Sequence, residues 1–91
     1  MPGTQAAFRA ITPDLAVWLD MLVDQRSRKE IASTAGLAES TLRDRLVRLE
    51  NVTGAADQRE LVRWWRENRV PWVRWLIERL PQVWSPPAEM D

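Results

Sequence analysis

Leu42, Leu46 and Leu49 recur at spacings of four and three residues, and Gly36 stands just upstream of them. An apolar stripe of that period is one face of an α-helix. The glycine supplies the positive-φ turn that ends a preceding helix. Before it, Ser27-Arg28-Lys29-Glu30 is a capping-box pattern followed by Ile31, Ala32 and Ala35, a helix of about two turns. Leu37 plugs the turn into the core, and a new helix begins near Glu39. The same three-and-four spacing appears in Leu15, Trp18, Leu19 and Leu22, opened by Thr12 as N-cap and Pro13 at the first helical position. It returns in Leu61, Val62, Trp64 and Trp65 after Asp57-Gln58-Arg59-Glu60, a second capping-box pattern with Asp in place of Ser. No segment alternates with period two for long enough to make a strand. The chain reads as all-α, a tetrahelical helix-turn-helix domain with an added Trp-rich C-terminal helix.

Breaks in the pattern divide the chain. Residues 1–10 show no period and read as a flexible N-terminus. Residues 11–70 carry the helix-turn-helix domain, with a turn at Asn51 to Ala56 around Gly54. Val70-Pro71 is expected to end or kink the fourth helix, because proline disfavours the α region for the residue before it. Residues 71–84, with Trp72, Val73, Leu76, Ile77 and Leu80, form an extra amphipathic helix, and residues 85–91 an irregular tail. Pro13, Asp14 and Asp20 interrupt the apolar run near the start, so no signal-peptide core is present. Nothing approaches the uncharged run of about 20 residues that spans a membrane. The expectation is a soluble, cytoplasmic protein.

Composition narrows the chemistry. The chain has no cysteine, which removes disulfides, thiolate metal sites and thiol nucleophiles. It has no histidine, the commonest general base and metal ligand. Three glycines are too few for a glycine-rich phosphate cradle. Asp20 and Asp24, four apart on α-helical spacing, read as a solvated face rather than an acid–base pair. An enzyme is not expected, nor a metal site or cofactor. Thirteen Lys+Arg balance thirteen Asp+Glu, but unevenly. From Arg26 to Arg48 six cations face three anions, and from Arg59 to Arg79 again six face three, while residues 1–25 are net negative. A neutral total hides a polarised surface.

A short helix, a glycine turn and a second helix with Arg43, Arg45 and Arg48 off its leucine stripe describe a helix-turn-helix, whose second helix fits the major groove. From Ile11 to about Val70 the sequence resembles the DNA-binding domain of LuxR/GerE-type transcription regulators. Ile11-Thr12-Pro13, Lys29-Glu30-Ile31-Ala32, Gly36-Leu37, Glu39-Ser40-Thr41-Leu42-Arg43, Gly54 and Glu60 fall where that family has similar residues. The central pattern is shared with sigma-factor region 4, and Gly54 with the helix start at Asp57–Val62 tilts the resemblance to the LuxR/GerE type. The resemblance implies a four-helix domain whose third helix reads double-stranded DNA and whose fourth supports dimerisation. Carried over by position, Arg43, Asp44 and Val47 would face bases. Ser40, Thr41, Arg45 and Arg48 would lie near phosphates, with Lys29 or Arg28 adding a contact from the preceding helix. Such roles fit the chemistry: arginine donates bidentately to guanine, aspartate accepts from a cytosine amino group, valine meets a thymine methyl. The sequence departs from the family at Ala38, where a serine N-cap is usual, at Asp44, which sets a negative charge beside DNA, and at Thr53 and Ala55, which replace larger apolar residues.

Five of six tryptophans, Trp64, Trp65, Trp72, Trp75 and Trp84, lie beyond the helix-turn-helix. Trp64, Trp65, Trp72 and Trp75 are candidate interface residues, for a homodimer or for a protein partner, since Trp and Arg are favoured anchors. The competing readings are a helix folded back to enlarge the core and an interfacial membrane helix, the latter opposed by Glu67, Glu78 and the proline break. Two functions follow. One is a sequence-specific, dimeric DNA-binding transcription regulator reading the major groove with the helix near residues 39–50. The alternative is an adaptor that docks its Trp-rich helices on a polymerase, a sigma factor or another regulator.

Overall fold

A computed structural model of the chain describes residues 2–79. Expectations for Leu80, for Trp84 and for the tail at 85–91 lie outside the described residues. The described chain is five helices and no strand: α1 (Pro2–Ala10), α2 (Pro13–Val23), α3 (Arg28–Ala35), α4 (Glu39–Thr53) and α5 (Gln58–Glu78).

The boundaries follow local chemistry. Thr12 in extended backbone accepts the Leu15 N–H, and Pro13 opens α2. Ser27 and Glu30 form the full capping box at the start of α3, each satisfying the other's backbone N–H. Gly36 ends α3 at φ 70°, a left-handed conformation, and its N–H and that of Leu37 return to the carbonyls of the last turn. Asp57 caps α5 by accepting the Glu60 N–H at 2.9 Å. The reciprocal arm of that box is displaced by one residue: the Glu60 carboxylate takes the N–H of Ala56 rather than of Asp57.

One core gathers the apolar stripes: Leu15, Trp18, Leu19 and Leu22 of α2, Ile31 and Ala32 of α3, Leu42, Leu46 and Leu49 of α4, and Leu61, Trp65 and Trp72 of α5. Full burial of each leucine contributes about 1.5–3 kcal/mol. α2 and α5 run antiparallel. The Asp20 carboxylate of α2 accepts the indole N–H of Trp65 at 2.8 Å and bonds Arg69 through both oxygens, at 2.9 and 3.1 Å. The C-terminal turn of α2 meets the N-terminal half of α5.

The structure corrects the sequence expectations in four places. Residues 2–10 are a helix, not a flexible lead-in. α1 packs on α4, and Phe8, 5 % exposed, meets Trp64 and Trp75 of α5 with ring centroids 6.1 and 5.8 Å apart. Nine residues are too few to hold a helix alone; this one is held by its partners. Pro71 neither ends nor divides the fourth amphipathic segment, so residues 71–78 continue α5 rather than forming a separate helix. Interior proline costs about 3 kcal/mol, whereas burying the next residue, Trp72, contributes roughly 4–6 kcal/mol at 150–250 Å² of apolar area. Pro71 itself is exposed, so its ring meets no neighbouring helix. Asp20, expected on a solvated face, is instead the polar link between α2 and α5.

The fourth correction concerns the tryptophans. Trp65 is fully buried and Trp72 is 5 % exposed, so neither is available as an interface anchor. They pack edge to face at 5.6 Å, with Trp64 stacked on Trp65 at 6.5 Å. Trp64 and Trp75 are half-buried against Phe8, and the Arg79 guanidinium lies 4.7 Å over the Trp75 ring. Trp64, Trp65, Trp72 and Trp75 enlarge the chain's own core.

Candidate nucleic-acid interface

α3, the Gly36 turn and α4 position the residues singled out from the sequence. The leucines at 42, 46 and 49 turn one side of α4 fully inward. Helical geometry then forces Ser40, Arg43, Asp44, Val47 and Arg48 to the outside, and all five are exposed. Val47 keeps 43 % of its surface in solvent. Thr41 is half-buried at the edge of the stripe.

Arg45 differs from its neighbours. Its guanidinium sits over the ring of the buried Trp18 at 5.8 Å, which restricts the side chain while leaving it exposed. Arg45 and Arg48 line, with Thr41 and Asp44 of α4 and with Ala10, Thr12 and Leu15 from the α1–α2 junction, a groove of about 510 Å³. The groove flanks α4 along one side, so an elongated ligand lying across α4 would pass both arginines. Among the described residues, neither Arg43 nor Arg48 makes an ion pair.

Lys29 and Arg28 part company. Lys29 is exposed in the first turn of α3. Arg28 donates its Nε–H to Gln58 at 2.6 Å and so ties α3 to the start of α5. Of the two cations expected to reach out from this helix, only Lys29 is uncommitted. Arg26 likewise pairs with Glu30 at 3.4 Å. The Glu30 carboxyl is held below its ordinary value by the Ser27 backbone N–H first, with the Arg26 and Ser27 side chains adding to that effect.

The departures noted in the sequence have structural counterparts. Ala38 occupies the N-cap position of α4 in extended backbone with no side-chain hydrogen bond, leaving the first amides of that helix uncapped. Thr53 turns its hydroxyl back to the Leu49 carbonyl at 2.8 Å and accepts the Ala55 N–H. The Thr53 hydroxyl thereby closes the α4 end with polar contacts. Gly54 ends α4 at φ 82°.

Sequence reasoning missed the role of Trp18, read there as core alone. A core tryptophan beneath an exposed arginine 27 positions later leaves no signal at helical spacing. The described residues contain no group of His, Cys, Asp and Glu able to hold a metal ion and no helix long and apolar enough to cross a membrane. Comparison with family models, with curated proteins and with solved structures found no match.

Proposed function

We propose that this protein is a sequence-specific DNA-binding regulator in which α3 and α4 act as a helix-turn-helix and α4 enters the major groove. The observation that carries the reading is the outward face of α4, where Arg43, Asp44, Val47 and Arg48 are exposed together opposite a leucine stripe that fixes the helix. In this reading Arg43 donates to a guanine edge, Asp44 accepts from a cytosine amino group and Val47 meets a thymine methyl. Arg45, Arg48, Ser40, Thr41 and Lys29 lie toward phosphates and set the register. Trp18 holds the Arg45 guanidinium, reducing the conformational freedom lost when a phosphate is bound.

The test is selection of bound fragments from a random duplex pool, followed by anisotropy titrations across salt. Log affinity should fall linearly with log salt, with a slope near −0.9 for each phosphate neutralised. Replacing Arg43 with Ala should cost about 1–3 kcal/mol and relax preference at one base position, whereas Arg48→Ala should weaken all sequences alike. A chain that binds neither selected nor random duplex at low salt rejects the proposal. Pairing of two copies, part of the same reading, is measured by mass with and without the selected duplex.

A further inference from the structure

The groove beside α4 has a second wall that the helix-turn-helix does not supply. One wall is α4, with Thr41, Asp44, Arg45 and Arg48; the other is the α1–α2 junction, with Ala10 and Thr12. Leu15 and Leu49, both buried, complete the lining. The junction is fixed in place. Phe8 and Ile11 are buried on either side of Ala10, the Ile11 N–H bonds the Phe8 carbonyl at 3.2 Å, and α1 packs on α4. Ala10 lies outside the stretch that resembles the LuxR/GerE domain, so this wall is a feature of the present chain.

The lining is rich in donors. Two guanidiniums and two hydroxyls stand against a single carboxylate, that of Asp44. Among the described residues neither Arg45 nor Arg48 takes part in an ion pair. Thr12 is exposed, and its hydroxyl oxygen accepts the Leu15 N–H at 3.2 Å, which leaves the hydroxyl proton to donate elsewhere. Arg45 has a seat of its own, 5.8 Å over the Trp18 ring. The ring attracts the cation without serving as an acceptor for its fork, so the side chain is restrained while its donors stay available. A lysine ammonium has no such planar fork to present.

We infer that this groove seats the sugar–phosphate backbone of one DNA strand, with Thr12 and Arg45 donating to its phosphates from opposite walls and Trp18 positioning Arg45. The inference rests on the DNA reading of α4 and extends that surface to the α1–α2 junction. From Thr41 to Arg48 the donors run along two turns of helix, roughly 10 Å, a length that suits a strand better than a single free anion. Leu15 and Leu49 offer apolar surface to the sugars. Asp44 is the one repelling group, and the same reading turns it to a cytosine amino group in the major groove rather than to the backbone.

The test uses the full chain and its selected duplex, with affinities measured by anisotropy at constant ionic strength. Asp and Asn cap a helix as Thr does, so Thr12→Asp and Thr12→Asn both keep the start of α2 and differ in charge within the groove. Thr12→Asp should bind about tenfold more weakly than Thr12→Asn. Arg45→Lys keeps the charge and should weaken binding about two- to fivefold. That difference should vanish in a Trp18→Leu background and persist with Trp18→Phe, which keeps a ring. Circular dichroism checks that each variant retains its helices; should Trp18→Leu not fold, the Thr12 pair decides. In a scan of single neutral methylphosphonate linkages along the duplex, one linkage should weaken binding by the native chain but not by Arg45→Ala. A native chain that binds no duplex overturns the DNA reading and this inference with it. Duplex binding in which Thr12→Asp matches Thr12→Asn, or in which Arg45→Lys costs as much without the Trp18 ring as with it, overturns the inference alone. Displacement of the duplex by millimolar inorganic phosphate at constant ionic strength also overturns it, in favour of a small-anion site.

Discussion

Asp20→Asn tests the polar link between α2 and α5, whose hydrogen bonds span 45 and 49 residues. One carboxylate oxygen accepts both the Trp65 indole N–H and the Arg69 Nε–H, and the other accepts a second Arg69 N–H. Asparagine keeps one acceptor, loses the charge and turns an NH2 toward the guanidinium. The Arg69 pair is half-exposed, with side chains 52 % and 39 % in solvent, so by itself it contributes no more than about 1 kcal/mol. The indole bond reaches a charged acceptor from a fully buried ring, and such bonds contribute about 1.5–3 kcal/mol, part of which the amide oxygen retains. The expected loss is about 1–2 kcal/mol at pH 7, read by urea denaturation, or in a thermal scan at roughly 4–8 °C per kcal/mol for a domain of this size. Partial burial pushes the Asp20 carboxyl up, but the Arg69 hydrogen bond, the Trp65 hydrogen bond and the Arg69 charge together hold it below its ordinary value. A depressed carboxylate stabilises the fold fully above the unfolded value of about 3.9 and loses that contribution as pH falls through the lower folded value. The gap between the native chain and Asp20→Asn should thus be constant from neutral pH down to about 5 and shrink at pH below 4. A variant within about 0.3 kcal/mol of the native chain at pH 7, or a gap that persists undiminished at pH 2, would refute this account.

Two further outcomes are open to the same measurements. Ala38→Ser should stabilise the chain by about 0.5–2 kcal/mol, because the N-cap backbone is already extended and only the accepting side chain is missing; an unchanged denaturation midpoint would show that water caps α4 equally well. Trp72→Phe should be milder than Trp65→Phe by about 1–2 kcal/mol, since the buried Trp72 indole N–H finds no acceptor among the described residues while that of Trp65 bonds Asp20. Equal losses in the two variants would show that packing alone decides both.

What could be read from the sequence was local. Thr12-Pro13, the Ser27–Glu30 box, Gly36 and Asp57 act within three or four residues, and each marks a boundary where expected. The leucines of α4 face inward and its arginines outward because helical period alone decides that. What could not be read depends on partners distant in the chain. α1 is short and only weakly apolar as a whole, and Phe8 becomes an anchor only beside Trp64 and Trp75. The proline rule at Val70-Pro71 describes local preference, which the burial of Trp72 outweighs. Likewise the Asp20 bonds span 45 and 49 residues, so spacing to Asp24 carried no hint of them. In the candidate site the outward residues of α4 were legible, whereas the withdrawal of Arg28 to Gln58 and the seat of Arg45 on Trp18 were not.

The Phe8 contacts bear on how the chain comes to be folded during its own synthesis. α1 leaves the ribosome before the other described helices, yet the aromatic rings that cover its Phe8 are among the last described parts of the chain to emerge. At roughly 5–20 residues per second that interval lasts several seconds, far longer than helix formation or collapse requires. α2, α3 and α4 therefore have time to settle around their leucines while Phe8 waits uncovered. A nascent chain halted before Trp64 would carry α1 against α4 alone, with the Phe8 ring still missing its aromatic cover.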